Sequence, residues 1–235
     1  MSLLRTRRLC KSFGGLEAVA GVDLDIASGE VRALIGPNGA GKTTLVGLIC
    51  GRIAPSAGTV SFDGSDITHL PSFRRMRRGM AYTFQITSIF PRLPVRENVA
   101  LAARVHHAPD VVDEAVTSAL SRIGLRGEAD QIAGNLSYGH QRLLEIAMGL
   151  AQAPRLLILD EPTQGLSEGE VGGFNRLVRD LAGDMTILLI EHNMDVVMAT
   201  ADRVTVLTAG TVLAEGAPQA IRANAAVQAA YLGTG

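Results

Sequence analysis

Cysteine is scarce in this chain: its 235 residues include two, Cys10 and Cys50. Two thiols make no disulfide framework, and so low a count suits a reducing cytosol. Neither sign of charge prevails, with 22 Lys and Arg against 23 Asp and Glu. That balance offers no basic excess for a phosphate backbone, so no nucleic acid is expected as a partner. No stretch approaches the roughly 18 apolar residues of a membrane span. The opening "MSLLRTRRLCKSF" also lacks the continuous apolar segment of a secretory signal. These absences lead to the expectation of a cytosolic chain that meets a membrane only through a partner. Apolar residues make up 47% and charged residues 19%, enough for a sizeable core in one large domain or a core with a subdomain.

The chain alternates in character. Short strands separated by turns are expected over 32–36 ("RALIG"), 58–64 and 79–85, with a short apolar helix over 43–51. From Pro94 to about Ala151 only helical patterns recur. Strands are expected again at "RLLILD", "TILLI" and "RVTVL", with helices over 168–182 and 193–200 between them. The alanine-rich stretch over 221–233 reads as one short helix. Strand and helix in alternation indicate a parallel sheet covered on both faces. The expected fold is therefore an α/β core interrupted by a helical insert.

The stretch "GPNGAGKTT" comprises Gly36, Pro37, Asn38, Gly39, Ala40, Gly41, Lys42, Thr43 and Thr44. It has the phosphate-loop spacing of glycine, four residues, glycine, lysine and a hydroxyl residue, and it lies between an expected strand and helix. The amides of Gly39, Gly41, Lys42 and Thr43 would face a nucleotide β-phosphate. Lys42 would reach the β and γ oxygens, and the Thr43 hydroxyl would ligate Mg²⁺. "LLILDEP" is an apolar strand ending in two carboxylates. Solvated acids after a strand would be the plain reading, but the upstream phosphate loop changes the balance. Asp160 then fits the Mg²⁺ shell, and Glu161 is left to orient or deprotonate an attacking water. His192 follows the strand "TILLI", and Gln85 follows "GMAYTF". Both should reach the same carboxyl edge of the sheet, where ligands bind in open α/β folds. Each is read as a γ-phosphate contact, with Gln85 placed to move the insert.

"NLSYGHQRLLEIA" starts a helix with Ser137 as N-cap and with Gly139 in its first turn, where glycine costs stability. An ordinary cap and an anion site remain open on these residues alone.

Taken together, the motifs resemble an ATP-binding cassette (ABC) ATPase over nearly the whole chain. The resemblance implies a phosphate-loop, RecA-like core with a β-rich N-terminal part. The core would span 1–85 and 152–235, and an inserted α-helical subdomain 86–151. It implies ATP and Mg²⁺ as ligands, with Gln85 joining Thr43 and Asp160 at the metal, and with Glu161, His192 and Gln85 as the catalytic set. Phe13 matches the aromatic that stacks on adenine. "LSYGHQ" resembles the family signature, which in a head-to-tail pair of cassettes closes over the partner's γ-phosphate. Ser137, Gly139 and His140 would make that contact in trans. Tyr138 and His140 depart from the usual glycine and glutamine, and Ser167 stands where the family often has aspartate. "YTFQ", "LSYG", "LLEIAMGLA", "LLIEHNMDVVM" and the tail "YLG" resemble importer ATPases for branched-chain and other polar amino acids, although the segment around "VHHAPDVV" is shorter than is common there.

The resemblance implies an ATPase working as a homodimer or heterodimer of cassettes. It would sit on transmembrane permease subunits at the cytoplasmic face of the plasma (inner) membrane, with a periplasmic solute-binding protein in the complex. The alternatives are the motor of a lipid or polysaccharide exporter and a non-transport ABC ATPase. The segment after Gln85, with Ile89, Phe90 and Leu93, is expected to line a cleft for a permease helix; a hydrophobic clamp between insert and core is the competing expectation.

Overall fold

The structure is a computed structural model and describes residues 1–83 and 88–232. Two long strands open it, β1 (Ser2–Phe13) and β2 (Leu16–Ala27), paired antiparallel around Gly14 and Gly15. The sequence reading expected only short strands and turns here. The pair is hard to see because several register shifts interrupt it, so apolar and polar positions do not alternate cleanly. Next come β3 (Val31–Ile35), α1 (Lys42–Ile49), β4 (Ala57–Phe62), β5 (Ser65–Asp66), α2 (Ser72–Met76) and β6 (Met80–Thr83). Three helices follow: α3 (Val95–Ala103), α4 (Val112–Arg122) and α5 (Tyr138–Leu150). Alternation then resumes with β7 (Leu156–Asp160), α6 (Glu168–Ala182), β8 (Thr186–Ile190), α7 (Met194–Thr200), β9 (Arg203–Thr208) and β10 (Thr211–Gly216). The chain closes with α8 (Pro218–Arg222) and α9 (Ala225–Leu232). The C-terminal stretch is thus two helices. Asn224 breaks it, its side-chain oxygen accepting the Ala226 and Val227 amides as a cap.

Two sheets form. One is antiparallel in the order β2-β1-β4-β5, and the other runs β10-β9-β3-β8-β7-β6. In the second, β9, β3, β8, β7 and β6 are parallel and β10 is an antiparallel edge. Every residue of β3, β7 and β8 is buried, as expected of strands covered on both faces. The parallel arrangement puts the carboxyl ends of β3, β7 and β8 along one edge.

Helix α1 lies between the sheets. Its Leu45, Val46, Leu48 and Ile49 share one cluster with Leu4 and Leu24 of the first sheet and Ile158 and Leu188 of the second. Its far end is held by Arg75, buried although no carboxylate pairs with it among the described residues. The guanidinium donates to the carbonyls of Leu48 and Ile49, at 2.7 Å each, and to those of Leu70 and Thr68. A cation on the last carbonyls of a helix satisfies orphan acceptors and complements the dipole.

Helices α3 to α5 pack with α6 and the opposite face of the sheet. Val99, Leu120, Leu144 and Ala147 join Leu157, Leu159, Phe174 and Val178 in one cluster. Ile89 packs against that cluster, as the clamp expectation has it, while Phe90 faces outward with 51% of its surface exposed. Ile89 and Leu93 are both only partly buried.

Candidate functional site

The loop between β3 and α1 turns on glycines with positive φ. A Cβ at Gly36 would strike the Leu207 carbonyl, and one at Gly41 the Ala18 carbonyl. Only glycine fits such approaches. Gly41 precedes α1 with φ of 100° and no side-chain cap, so the first turn of the helix presents bare backbone. Lys42 folds over the loop, its Nζ donating to Gly36 O at 2.6 Å and Pro37 O at 3.1 Å. Burial lowers its pKa, opposed by the nearby carboxylates of Glu161 and Asp160. Thr43 is exposed in the same turn.

Asp160 ends β7 and is buried. Its carboxyl is pushed above the usual range chiefly by burial, with Glu161 adding to the effect and Tyr82, Arg52 and Lys42 opposing it. Tyr82 Oη donates to its Oδ2 at 2.5 Å, and the Arg52 guanidinium lies 4.3 Å from the Tyr82 ring centre. Glu161 has φ of +47°, a conformation that side chains rarely adopt, and its amide donates to Ile190 O at 2.9 Å. His192 emerges exposed beyond β8. The phosphate loop, Asp160, Glu161 and His192 thus lie along one edge, as the sequence reading expected. Gln85 lies outside the described residues.

Phe13 is 48% exposed at the end of β1, with Lys11 Nζ 4.9 Å from its ring centre. It pairs with Leu16, two residues before Ala18, whose carbonyl abuts Gly41. The first hairpin therefore brings this ring to the phosphate-loop side.

The start of α5 is different. Ser137 is an ordinary N-cap in this chain, its Oγ accepting the His140 amide at 3.2 Å. Gly139 is buried against the Glu170 carboxylate, where a Cβ would collide. Glu170 in turn makes a capping box with Ser167 at the start of α6. Those bonds from Ser167 hold the Glu170 carboxyl below the usual range. Serine in place of the expected aspartate is thus the N-cap of α6. Tyr138 and His140 are exposed, and Tyr138 lies against Gly165. A cavity of about 410 Å³ opens between α4, α5 and α6; Gly139, His140 and Phe174 line it, and Lys42, Asp160 and Glu161 do not.

Sequence reasoning missed Tyr82, Glu170 and Glu191. A signal existed for the last: Glu191 follows the apolar strand β8 just as Glu161 follows β7.

A family model described as ABC transporter matches residues 19–164, and one described as branched-chain amino acid ATP-binding cassette transporter matches residues 211–235. The high-affinity branched-chain amino acid transport ATP-binding protein LivG of Escherichia coli K12 is 39% identical, with 98% of each chain covered. Its counterpart BraF of Pseudomonas aeruginosa is 37% identical, again with 98% of each chain covered. The lipopolysaccharide export system ATP-binding protein LptB of Haemophilus influenzae is 33% identical over 99% of this chain and 98% of its own. Among solved structures, the ADP conformation of an ATP-binding cassette of an ABC transporter superposes with a TM-score of 0.92. It is 29% identical and covers 99% of both chains.

Proposed function

This chain belongs to the ATP-binding cassette family of ABC transporters and is an ATPase, and we propose that it is the motor subunit of a branched-chain amino acid importer. The observation that carries the motor reading is the gathering of Lys42, Asp160 and Glu161 within electrostatic reach of one another beside a glycine-built phosphate loop. The C-terminal match and the 37–39% identity to LivG and BraF support the solute class. An export motor is the second reading, supported by the 33% identity to LptB. Residues 1–85 and 152–235 serve as the nucleotide-binding core, and 86–151 as the helical insert.

ATP lies with its phosphates on the amides of Gly39, Gly41, Lys42 and Thr43, where bare N–H groups and the α1 dipole favour an anion. Asn38 and Ala40 complete the loop, Thr44 follows Thr43 into the helix, and Phe13 stacks on the base. Lys42 leaves its two carbonyls for the β and γ oxygens. The oxygen donors Thr43 Oγ1 and Asp160 suit Mg²⁺, with Gln85 as a third ligand. Tyr82 holds one Asp160 oxygen, so the other can face the ion. When bound, the ion neutralises charge on the β and γ oxygens. Glu161 orients and deprotonates the water, and His192 contacts the γ-phosphate.

No helix among the described residues is long and apolar enough to cross a membrane. In the proposed role the motor docks on permease subunits at the cytoplasmic face, through the outward Phe90 loop, and works with a periplasmic solute-binding protein. Ser137, Gly139 and His140 meet the γ-phosphate of a second cassette. The deciding experiment is Glu161→Gln: hydrolysis should fall by about 10²-fold or more while ATP binding persists. Near-normal turnover would overturn the assignment of the general base.

A further inference from the structure

Glu191 is wholly buried, and no lysine or arginine pairs with it among the described residues. Four donors converge on its carboxylate instead. Oε1 accepts the Thr163 amide at 3.2 Å and the Thr163 hydroxyl at 2.5 Å. Oε2 accepts the amides of His192 at 3.0 Å and Asn193 at 3.2 Å. The Glu191 amide reaches back to Leu34 O, in the strand that leads into the phosphate loop. An ionised carboxylate is an acceptor only, so two oxygens with two donors each make a saturated arrangement. A buried charge persists only when satisfied in this way.

The sheet does not need this tie. β7 and β8 are already paired from Leu156–Thr186 to Asp160–Ile190. What the carboxylate joins lies beyond the strand ends: the loop two residues after Glu161 and the turn that presents His192. We infer that Glu191 is a positioning residue that fixes the Glu161 loop and the His192 turn as one unit, keeping water activation and γ-phosphate contact in register. This rests on the roles proposed above for Glu161 and His192. Misplacement of reacting groups by a fraction of a bond length is enough to lower a rate steeply, while nucleotide binding, which rests on the phosphate loop, is spared.

The test uses the full-length chain with saturating Mg²⁺ and ATP. In Glu191→Gln, the amide group must present donors to donors at one of its two ends. It should lower kcat by about 10- to 100-fold and leave the KM for ATP within about threefold. Thr163→Val removes one hydroxyl and should lower kcat by about three- to tenfold, again with KM unchanged. Combined, the two should be no worse than Glu191→Gln alone, because they cut the same link. Losses that multiply would overturn the tie, and so would a lowered thermal midpoint with wild-type kcat in either variant. If Glu191→Gln does not fold, Thr163→Val decides, and wild-type kcat there refutes the inference. Glu161→Gln runs beside them. If it keeps turnover, the reading of the site fails; if it alone loses turnover, only the tie fails.

Discussion

Helices α1 and α5 both have a glycine at or near their first turn, and they are finished in opposite ways. The α1 start has no side-chain cap, but Lys42 already lies over its loop and Arg75 seals the last carbonyls at the other end. Its flanks are buried between two sheets. At the α5 start, Ser137 closes one amide, a Glu170 carboxylate covers Gly139, and Tyr138 and His140 face solvent. The groups that the proposed function assigns to an anion at α1 all come from this chain. The first turn of α5 lies at the rim of a cavity between α4, α5 and α6. On the reading proposed above, such differences in environment would separate a site complete in cis from a surface that meets a second copy, and local sequence alone does not reveal them.

The largest expected effect tests the finished helix. Arg75→Met keeps much of the side-chain length and removes every donor, so the Leu48, Ile49, Leu70 and Thr68 carbonyls lose a charged partner in a buried setting. Unsatisfied buried acceptors of this kind should cost about 3 kcal/mol or more, read from the midpoint of a guanidinium chloride titration. ATP affinity should weaken with it, because α1 carries Lys42 and Thr43. A midpoint near that of the unaltered chain would mean that α1 is held by packing alone, and the contrast would lose its first half.

The second prediction breaks the other half. Ser137→Arg should cost only about 1 kcal/mol, the scale of a lost N-cap. ATP binding by the monomer should stay within about threefold, while ATP-driven dimerisation disappears on light scattering. Loss of monomer binding would instead place the α5 start beside its own chain's nucleotide and make the two helices alike.

What could be read in advance follows the same division. The phosphate loop was legible because its chemistry is packed into nine consecutive residues, 36–44, with a strand before and a helix after. Asp160, Glu161 and His192 were legible because each stands at or just beyond the end of an apolar strand, so one rule about strand ends placed all three. Tyr82 was not, since its partner lies 78 residues away; Glu191 stood at a strand end like the others, but its tie to Thr163, 28 residues away, leaves no local pattern. Glu170 was hidden for a related reason, since its contact with Gly139 joins two helices that only packing brings together. The β1–β2 pair escaped because its register shifts blur the period of two.

The smallest expected effect concerns a second surface left open, the loop before α3. Its shape comes from Asn98, which is wholly buried. Asn98 Oδ1 accepts the Phe90 amide at 2.6 Å, and Nδ2 donates to Phe90 O at 3.1 Å and Pro94 O at 3.0 Å. The backbone is thus held without help from the Phe90 ring, which points outward. Phe90→Asp should therefore change stability by no more than about 0.5 kcal/mol, as for a surface position, and leave ATP hydrolysis by the isolated chain unchanged. In the assembled transporter the same charge should weaken co-purification with the permease and uncouple hydrolysis from uptake, since an exposed aromatic on a fixed loop suits a partner's groove. A sharp fall in the thermal midpoint of the isolated protein would show that the ring belongs to the core beside Ile89. The loop would then be a finished element like α1, and the permease surface would have to be sought elsewhere.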